Sequence, residues 1–351
     1  MKTLKKIAKF FLIIIAIIVI GFAGLIIYAI ASDYKPGEQT IIALPENPSV
    51  LTDSMTVSLM TWNIGYAGLD RDMDFFYDGG TQVITPEENC LENLSAISKL
   101  LTENDTIDFI LLQEIDRDSK RSYRNDQFER IAATLSGHNP YFAKNYDVFF
   151  VPTPPAKPMG KVVSGIATYS EFNPGSVSRY SLPGDFGFPT QLFYLDRCFM
   201  VNRYRISEGK ELVIINTHNE AFDEGDIRKA QMESLRDYIL TEYNSGNYVI
   251  SGGDWNQCPP DFVPAFSGNQ VNTSQMVMES GFMPEDWKWI YDPSTPSNRS
   301  VVAAYDPATT TTTVIDFFLI SPNIDPVSVK CHHLGFVNAD HNPVIIEVKL
   351  K

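Results

Sequence analysis

The sequence predicts an α/β protein with mixed β-sheets that follows one N-terminal membrane-spanning helix. Short apolar runs typical of strands are interspersed with amphipathic helical stretches, and several neighbouring strands look like antiparallel pairs rather than βαβ repeats. Residues 10–31 contain no charged side chain. The 351 residues show no internal linker or repeat, which predicts one large domain behind that helix.

The N-terminal apolar stretch is long enough to span a bilayer core of about 30 Å as a helix. Four lysines precede it, and Asp33 follows it. The positive-inside rule therefore predicts a cytoplasmic tail over residues 1–9, a single-pass anchor over 10–31, and a catalytic domain on the extracytoplasmic side. A cleaved signal peptide is the alternative, because Ala29-Ile30-Ala31 fits a small-residue cleavage pattern. The stretch is longer than a usual signal core, which favours the anchor.

Turn-rich and periodic segments divide the rest of the chain. Residues 32–54 are predicted as a stalk and 55–351 as the folded domain. Helices are predicted at 85–104, with Thr85 as N-cap, and at 124–137 and 225–243. Residues 257–312 are predicted to be largely irregular. Strands are predicted at 55–63, 107–113, 141–151, 163–170, 176–182, 193–206, 211–217, 247–252, 313–320, 326–332 and 343–349.

Charge and cysteine usage restrict the function classes. The chain has a net charge of −15, and without the four lysines of residues 1–32 the exported part carries −19. Such a surface repels polyanions at long range, whereas nucleic-acid binders usually have a basic footprint. The four cysteines form no C-x-x-C pair, which argues against a zinc or thioredoxin-like site. Export permits disulfides, and buried free thiols are the alternative.

Acid, amide and histidine residues stand at the ends of short apolar runs. In sheet-based enzymes such strand ends carry polar groups into a shared cleft. The pattern predicts one site that binds a divalent metal and cleaves a phosphate ester. The residues are Asn63, Gln113-Glu114, Asn216-Thr217-His218, Asp254-Trp255-Asn256, Asp316 and Asp340-His341.

Phosphate-ester hydrolysis needs charge neutralisation, an activated water and a stabilised leaving oxygen. A hard cation such as Mg²⁺ prefers carboxylate oxygens, and Glu114 at the end of an apolar strand would otherwise be a costly buried charge. Glu114 is therefore the first metal ligand that we expect. Asn63 either binds the cation through its carbonyl or orients Glu114.

The remaining residues suit proton transfer and phosphate binding. His341 is the candidate general base or acid, and Asp316 its orienting carboxylate. Asp254 and Asn256 are two residues apart and face the same way in an extended segment, so one can hold the water while the other donates to phosphate. His218 can donate to a phosphate oxygen or protonate the leaving group.

At these residues the chain resembles the endonuclease/exonuclease/phosphatase superfamily. The family pattern of W-N, Q-E, N-T-H, G-D-F-N, I-D-Y/F and S-D-H occurs in order, from about residue 55 to 350. Two positions depart from it mildly, with Trp255 in place of Phe and Ala339 in place of Ser. The matching segments are Trp62-Asn63, Gln113-Glu114, Asn216-Thr217-His218, Gly253-Asp254-Trp255-Asn256, Ile315-Asp316-Phe317 and Ala339-Asp340-His341.

The resemblance implies a four-layer sandwich of two packed mixed sheets flanked by helices. It implies that Glu114, with Asn63, binds Mg²⁺ or Mn²⁺ and that Asp340 assists with metal or water. The other roles that it implies fall on the positions matching the family motifs. Asp254 and Asn256 would position the nucleophile and the phosphate, Asp316 would orient His341, and His218 would contact the phosphate.

These observations predict a membrane-anchored, exported, metal-dependent phosphoesterase that acts as a monomer. A lipid-derived or small phosphate ester is favoured over nucleic acid as substrate. The alternatives are a surface nuclease and, in another class, a catalytically silent binding module on the same fold. Arg197 is a further phosphate candidate, with a structural ion pair as its alternative, and Arg117 and Arg121 are weaker ones.

Overall fold

Two mixed β-sheets pack face to face, with helices on both outer surfaces, in the computed structural model of the chain. The structure describes residues 2–184, 186–223, 225–263 and 277–351. The part of the predicted irregular stretch at 264–276 lies outside these residues. The helices of the described chain are α1 (Lys2–Ser32), α2 (Glu87–Glu103), α3 (Gln127–Thr134) and α4 (Asp226–Asn244).

One sheet has six strands in the order β15-β16-β3-β4-β6-β5. The other has eight strands. Seven of them follow the order β1-β7-β8-β9-β10-β14-β11, and the eighth, β2, pairs with β8. Strands β12 and β13 form a separate ribbon. Their bounds are β1 (Gln39–Ala43), β2 (Val50–Leu51), β3 (Thr56–Asn63), β4 (Phe109–Asp116), β5 (Asn139–Val151), β6 (Gly160–Ser170), β7 (Ser176–Ser181), β8 (Cys198–Ile206), β9 (Glu211–His218), β10 (Tyr248–Asp254), β11 (Lys288–Ile290), β12 (Asn298–Arg299), β13 (Thr312–Thr313), β14 (Asp316–Ile320), β15 (Ile324–Cys331) and β16 (Val344–Leu350).

Apolar side chains fill three successive layers of core. Between the sheets, residues such as Leu59 and Phe109 of the six-stranded sheet meet Ile214 and Phe318 of the eight-stranded sheet. Helices α2 and α3 cover the outer face of the first sheet, and α4 covers that of the second. Each sheet contains parallel and antiparallel pairs. The predicted α/β sandwich of two packed mixed sheets flanked by helices is therefore confirmed.

Helix α1 is the long apolar helix that the sequence predicts. The most apolar 18 residues within Thr3–Ser32 have a mean hydropathy of 3.3, and among the described residues this is the one helix long and apolar enough to cross a membrane. A signal sequence near the N-terminus can meet the same criteria of length and hydropathy. Near its C-terminal end, α1 contacts the domain, where the rings of Tyr28 and Phe149 lie 4.5 Å apart, edge to face.

Several local features differ from the sequence-based expectations. The predicted stalk contains β1 and β2, which extend the eight-stranded sheet by pairing with β7 and β8. The Thr85 hydroxyl donates to Asp70 rather than capping α2, which begins after Pro86. Helix α3 is shorter than predicted at both ends. Asp126 caps its start by accepting from the backbone N–H of Glu129, and the helix ends at Thr134. The four cysteines are buried free thiols.

Candidate active site

Polar side chains from both sheets meet at one end of the sandwich. On the eight-stranded sheet, Asp254 aligns with His218 of the parallel strand β9 and with Asp316 of the antiparallel strand β14. On the six-stranded sheet, Asn63 at the end of β3 aligns with Gln113 of β4, next to Glu114. The two sheets thus deliver their strand ends to the same edge, as the sequence predicts.

The backbone is strained where it presents three of these groups. Glu114 has a φ of 53° at a bulge between β4 and β6, and Asn256 has a φ of 50° just beyond β10. Gly253 has a φ of 153°, and a Cβ there would lie 1.9 Å from the Thr217 carbonyl oxygen. Only glycine fits that position, which fixes the approach of Asp254. Such conformations persist where the surrounding structure holds them, and they are typical of functional sites.

Asn63 joins the carboxylates of the two sheets. Its Nδ2 donates to Glu114 Oε1 at 3.1 Å and to Asp254 Oδ2 at 2.9 Å. Its Oδ1 accepts the backbone N–H of Gly65 at 3.0 Å, which sets the orientation of the amide. Asn63 therefore orients Glu114 here, one of the two roles that its position suggested. The Asn256 side chain lies nearby, with Nδ2 donating to the Asn219 carbonyl at 2.9 Å.

His341 is held by a buried carboxylate. Its Nδ1 lies 2.8 Å from Asp316 Oδ2, and the Ser297 hydroxyl donates to the same oxygen at 2.7 Å. Burial lowers the pKa of His341, but the charges of Asp316 and Asp340 outweigh it and raise the pKa well above its usual value. The predicted pairing of Asp316 with His341 is present in the structure.

The second nitrogen of His341 faces an amide. Asn298 Nδ2 lies 2.9 Å from His341 Nε2, an arrangement that suits a neutral imidazole. A charged imidazolium needs the amide oxygen at that place, which a 180° rotation of the amide supplies. Asn298 can therefore hydrogen-bond to His341 in either protonation state. The raised pKa favours the charged state.

His218 lies on the opposite side of Asp254 in different surroundings. Its Nε2 is 3.6 Å from Asp254 Oδ2 and 3.9 Å from Glu114 Oε1. Its Nδ1 is buried and has no hydrogen-bond partner among the described residues. Burial, followed by the positive charges of Arg197 and His341, lowers its pKa well below the usual value. His218 is therefore a neutral hydrogen-bonding group rather than a cation.

The buried carboxylates carry an excess of negative charge. Burial raises the pKa of Asp254 to about 6, although His341 and Asn63 oppose the shift. Burial, assisted by Glu114, raises the pKa of Asp340 to about 7. Within the described residues, Asp340 Oδ1 and Asp316 Oδ1 are buried without a hydrogen-bond partner. Uncompensated carboxylate oxygens in a buried site are ligands that suit a hard divalent cation.

Two sets of these groups are candidates for holding that cation. Ligand atoms of Asp254, Asp316 and His341 lie within 4.8 Å of one another. However, Asp316 and His341 are already bonded to each other, which suits proton transfer better than coordination. Glu114 remains one-quarter exposed toward the cavity, and it interacts electrostatically with Asp340. We therefore favour Glu114 and Asp340 as the metal-binding carboxylates.

The three arginines considered as phosphate ligands differ in their contacts. Arg117 forms exposed ion pairs with acids of the α3 region, and Arg121 makes a bidentate ion pair with Asp116. Arg197 is only 5 % exposed, and its Nε lies 3.4 Å from Glu220 Oε2 without hydrogen-bond geometry. Within the described chain its Nε and Nη1 have no hydrogen-bond acceptor. Arg197 is the arginine best suited to accept an anion.

The site opens into a cavity of about 1240 Å³. Glu114, His218, Asp254, Asp340 and His341 lie on its wall. Beyond them the lining is mostly aromatic and aliphatic. This volume exceeds the 300–1,000 Å³ range of ordinary ligand pockets, so the cavity admits a ligand much larger than a phosphate group.

Sequence reasoning missed Ser297 and Asn298, which contact the Asp316–His341 pair. Both belong to the stretch predicted as irregular, and they enter the site through the short ribbon of β12 and β13. No periodic or motif signal marks them. Their proximity to His341 comes from tertiary packing alone.

Comparisons with known proteins agree with this architecture. The sequence model described as the endonuclease/exonuclease/phosphatase family matches residues 60–341. A comparison with curated protein sequences finds no match.

Solved structures of the same fold have low sequence identity to the chain. An endonuclease/exonuclease/phosphatase from Beutenbergia cavernae is 19% identical with a TM-score of 0.57, covering 84% of this chain and 72% of that one. ANGEL2, a 2′,3′-cyclic phosphatase, is 15% identical with a TM-score of 0.54, covering 85% and 96%. The human Nocturnin catalytic domain is 15% identical with a TM-score of 0.51, covering 84% and 95%. At these identities the likeness shows the fold alone.

Proposed function

The chain belongs to the endonuclease/exonuclease/phosphatase family, and from this premise we propose that it is a metal-dependent phosphoric ester hydrolase. The observation that carries the proposal is the placement of Asp254. Its Oδ2 lies 2.9 Å from Asn63 Nδ2, 3.6 Å from His218 Nε2 and 3.8 Å from His341 Nε2. One carboxylate therefore faces two histidines and the amide that orients Glu114, at the wall of a large cavity.

Glu114, oriented by Asn63, and Asp340 would hold the metal, which is Mg²⁺ or Mn²⁺. The buried, unpartnered Asp340 oxygen and the oxygen-rich ligand set fit such an ion. When bound, the metal supplies neutralisation of the phosphate charge and polarisation of the phosphorus–oxygen bonds.

Asp254 is suited to orient the attacking water and to accept its proton. Its pKa of about 6 gives a carboxylate that is ionised at neutral pH and yet more basic than an exposed aspartate. Asn256, which also lies on the cavity wall, would position the water or a phosphate oxygen. The new phosphorus–oxygen bond forms from this water as the bond to the leaving oxygen breaks.

The two histidines would serve the phosphate and the leaving group. His341, charged and held by Asp316, is suited to donate from Nε2 to the developing negative charge and to protonate the leaving oxygen. Neutral His218 donates one hydrogen bond to a phosphate oxygen. Arg197, with two buried donor atoms that lack acceptors in the described residues, supports anion binding.

We place the enzyme on the membrane through α1, with the domain on the extracytoplasmic side and the chain a monomer. The N-terminal lysines and the uncharged stretch over 10–31 support this topology. The charge of −19 on the exported part favours a lipid-derived or small phosphate ester over nucleic acid. Protease digestion within residues 32–54 tests the topology. Because β1 and β2 pair within this segment, intact cells are compared with permeabilised cells, and digestion that occurs only after permeabilisation would reverse the topology.

Hydrolysis of bis-p-nitrophenyl phosphate by the full chain tests the proposed activity. We expect hydrolysis that EDTA abolishes and Mg²⁺ or Mn²⁺ restores. Asp254→Asn should lose the activity, while Asp118→Asn, in an exposed ion pair outside the cavity lining, should retain it. A panel of plasmid DNA, RNA and phospholipid esters then separates a nuclease from a lipid phosphoesterase. Absence of hydrolysis of every ester with metal present would instead favour a binding module.

A further inference from the structure

The wall of the catalytic cavity includes two side chains of the N-terminal helix. Phe22 and Ile26 of α1 line the same cavity as Glu114, Asp254 and His341. They are four residues apart and therefore lie on one face of the helix. The same side of the helix buries Ala29 to 2 % exposure against the domain. The helix that precedes the domain is thus a structural part of the active-site cavity.

The cavity lining combines the polar catalytic side chains with many apolar ones. Phe22 and Ile26 line the cavity together with other apolar side chains, which include Phe193, Phe222 and Val302. Phe22 is 59 % exposed, and Phe222 and Val302 are each 51 % exposed, so the lining includes large apolar side chains that no other part of the described structure covers fully. A fully polar phosphate ester would leave this apolar region without a partner. An ester with a hydrocarbon chain would cover it.

The position of these side chains along α1 relates the opening to the membrane. Phe22 precedes the end of the helix at Ser32 by ten residues, which corresponds to about 15 Å along the axis. If residues 10–31 span the bilayer, Phe22 lies just beyond the bilayer midplane and Ile26 lies within the outer-leaflet hydrocarbon. A hydrocarbon chain could then enter the cavity along α1 without crossing water.

We infer that the substrate is a phosphate ester with a long hydrocarbon tail, taken from the membrane, and that the tail lies against Phe22 and Ile26 of α1. The inference rests on the proposed phosphoesterase function and adds the part of the substrate that the catalytic residues do not touch. It makes α1 a specificity-determining element of the site as well as an anchor.

Two substrates that differ only in the tail test the inference. Hexadecyl p-nitrophenyl phosphate and methyl p-nitrophenyl phosphate carry the same charge and the same leaving group. The full chain is reconstituted in phosphatidylcholine vesicles with Mg²⁺. We expect kcat/KM to be at least about ten-fold higher for the hexadecyl ester, because each buried methylene adds a further increment of binding. Equal rates for both esters would overturn the inference.

Matched variants of α1 test whether the preference for the hexadecyl ester depends on Phe22 and Ile26. Phe22→Ala with Ile26→Ala should lower kcat/KM for the hexadecyl ester by about ten-fold and that for the methyl ester by less than about two-fold. The control, Phe11→Ala with Ile27→Ala, removes the same atoms from positions of α1 that do not line the cavity. It should leave both esters unchanged. Equal losses in the two double variants, or equal losses for the two esters, would contradict a tail site on α1.

The outcomes also separate this inference from the proposed function. Metal-dependent hydrolysis of the methyl ester without preference for the hexadecyl ester would contradict only the tail site and leave the proposed function standing. Failure to hydrolyse either ester would remove the proposed phosphoesterase function itself. The mass of the mature membrane-bound chain gives a further test, since cleavage after Ala31 would remove Phe22 and Ile26 and overturn the inference.

Discussion

The two histidines of the site lie on either side of Asp254, and their surroundings are opposite. His341 has Nδ1 against Asp316, a serine hydroxyl behind that carboxylate, and an amide at Nε2. His218 has an unpartnered Nδ1 in the described structure and a nearby arginine. The pKa of His341 is raised and that of His218 is lowered. Histidine is thus present in two states around Asp254, as the cation His341 on one side and as the neutral hydrogen-bond donor His218 on the other.

This contrast shows why residue type alone does not define a catalytic role. Both histidines end or flank buried strands, and both are nearly fully buried. A carboxylate partner favours the charged form of His341, while desolvation without such a partner favours the neutral form of His218. The site can therefore offer a proton donor and a neutral hydrogen-bond donor at the same pH.

The largest effect is expected from removing the charged histidine. His341→Ala should lower kcat by about 10³-fold, because a positioned acid–base group contributes on the order of 10²–10⁴. It should also remove one limb of the pH–rate profile. Steady-state kinetics on bis-p-nitrophenyl phosphate measure both, with His332→Ala as the control outside the site. A kcat within a few-fold of wild type would show that the His341–Asp316 pair does not act in catalysis.

His218→Ala should have a smaller effect, about 10²-fold on kcat, since it removes one hydrogen bond to the phosphate. Because His218 stays neutral, the shape of the pH–rate profile should not change. A lost limb in this variant would mean that His218, rather than His341, carries the titrating proton, and the contrast would be reversed.

The buried charges predict a pH-dependent stability in the metal-free protein. The folded-state pKa values of Asp254 and Asp340, about 6 and about 7, lie above the usual carboxyl value, and that of His341 is also raised. The folded protein therefore holds extra protons, and its stability is lost as pH rises through these values. Between about pH 5.5 and 8 the free energy of unfolding should fall by at least about 2 kcal/mol in EDTA.

Bound metal should neutralise the carboxylates in place of these protons, so the free energy of unfolding should no longer fall as pH rises. Thermal unfolding at both pH values, in EDTA and in Mg²⁺, measures the difference. Asp340→Asn should weaken the pH dependence in EDTA, since it deletes one of the titrating groups. A stability in EDTA that is constant or rises across this range would contradict the assignment of excess negative charge to the site.

The smallest effect is expected at Asn298, which contacts Nε2 of His341 and has no proposed contact with the substrate. Asn298→Ala should lower kcat by about ten-fold and leave KM near its wild-type value, because the imidazole loses one orienting partner. Asn298→Asp should shift the pH–rate profile to higher pH by stabilising the imidazolium. An unchanged profile in Asn298→Asp would show that the amide does not influence His341.

The sequence was sufficient to predict the location of the site residues that stand at the ends of regular strands. Asn63, Glu114, His218 and Asp254 each follow or end a buried apolar run, and strand register then brings them to one edge. Their position could be predicted because strand geometry, rather than loop conformation, sets it.

Features that depend on tertiary packing could not be predicted from the sequence. Ser297 and Asn298 reach His341 through an irregular segment, and the contact of α1 with the cavity joins residues far apart in the chain. Strands β1 and β2 could not be predicted because they lie in a Pro-rich segment without a strand pattern. They form because they pair with β7 and β8 of the eight-stranded sheet.

The proposed catalysis depends on one hard cation held by the carboxylates of Glu114 and Asp340. The most direct measurement is the Mg²⁺ concentration that gives half-maximal hydrolysis of bis-p-nitrophenyl phosphate, in wild type and in Glu114→Gln. We predict that this concentration rises by at least about ten-fold in the variant, since losing a ligand costs no less than losing a second-shell partner. A variant with the wild-type Mg²⁺ requirement, or a wild-type enzyme that remains active in EDTA, would contradict the account.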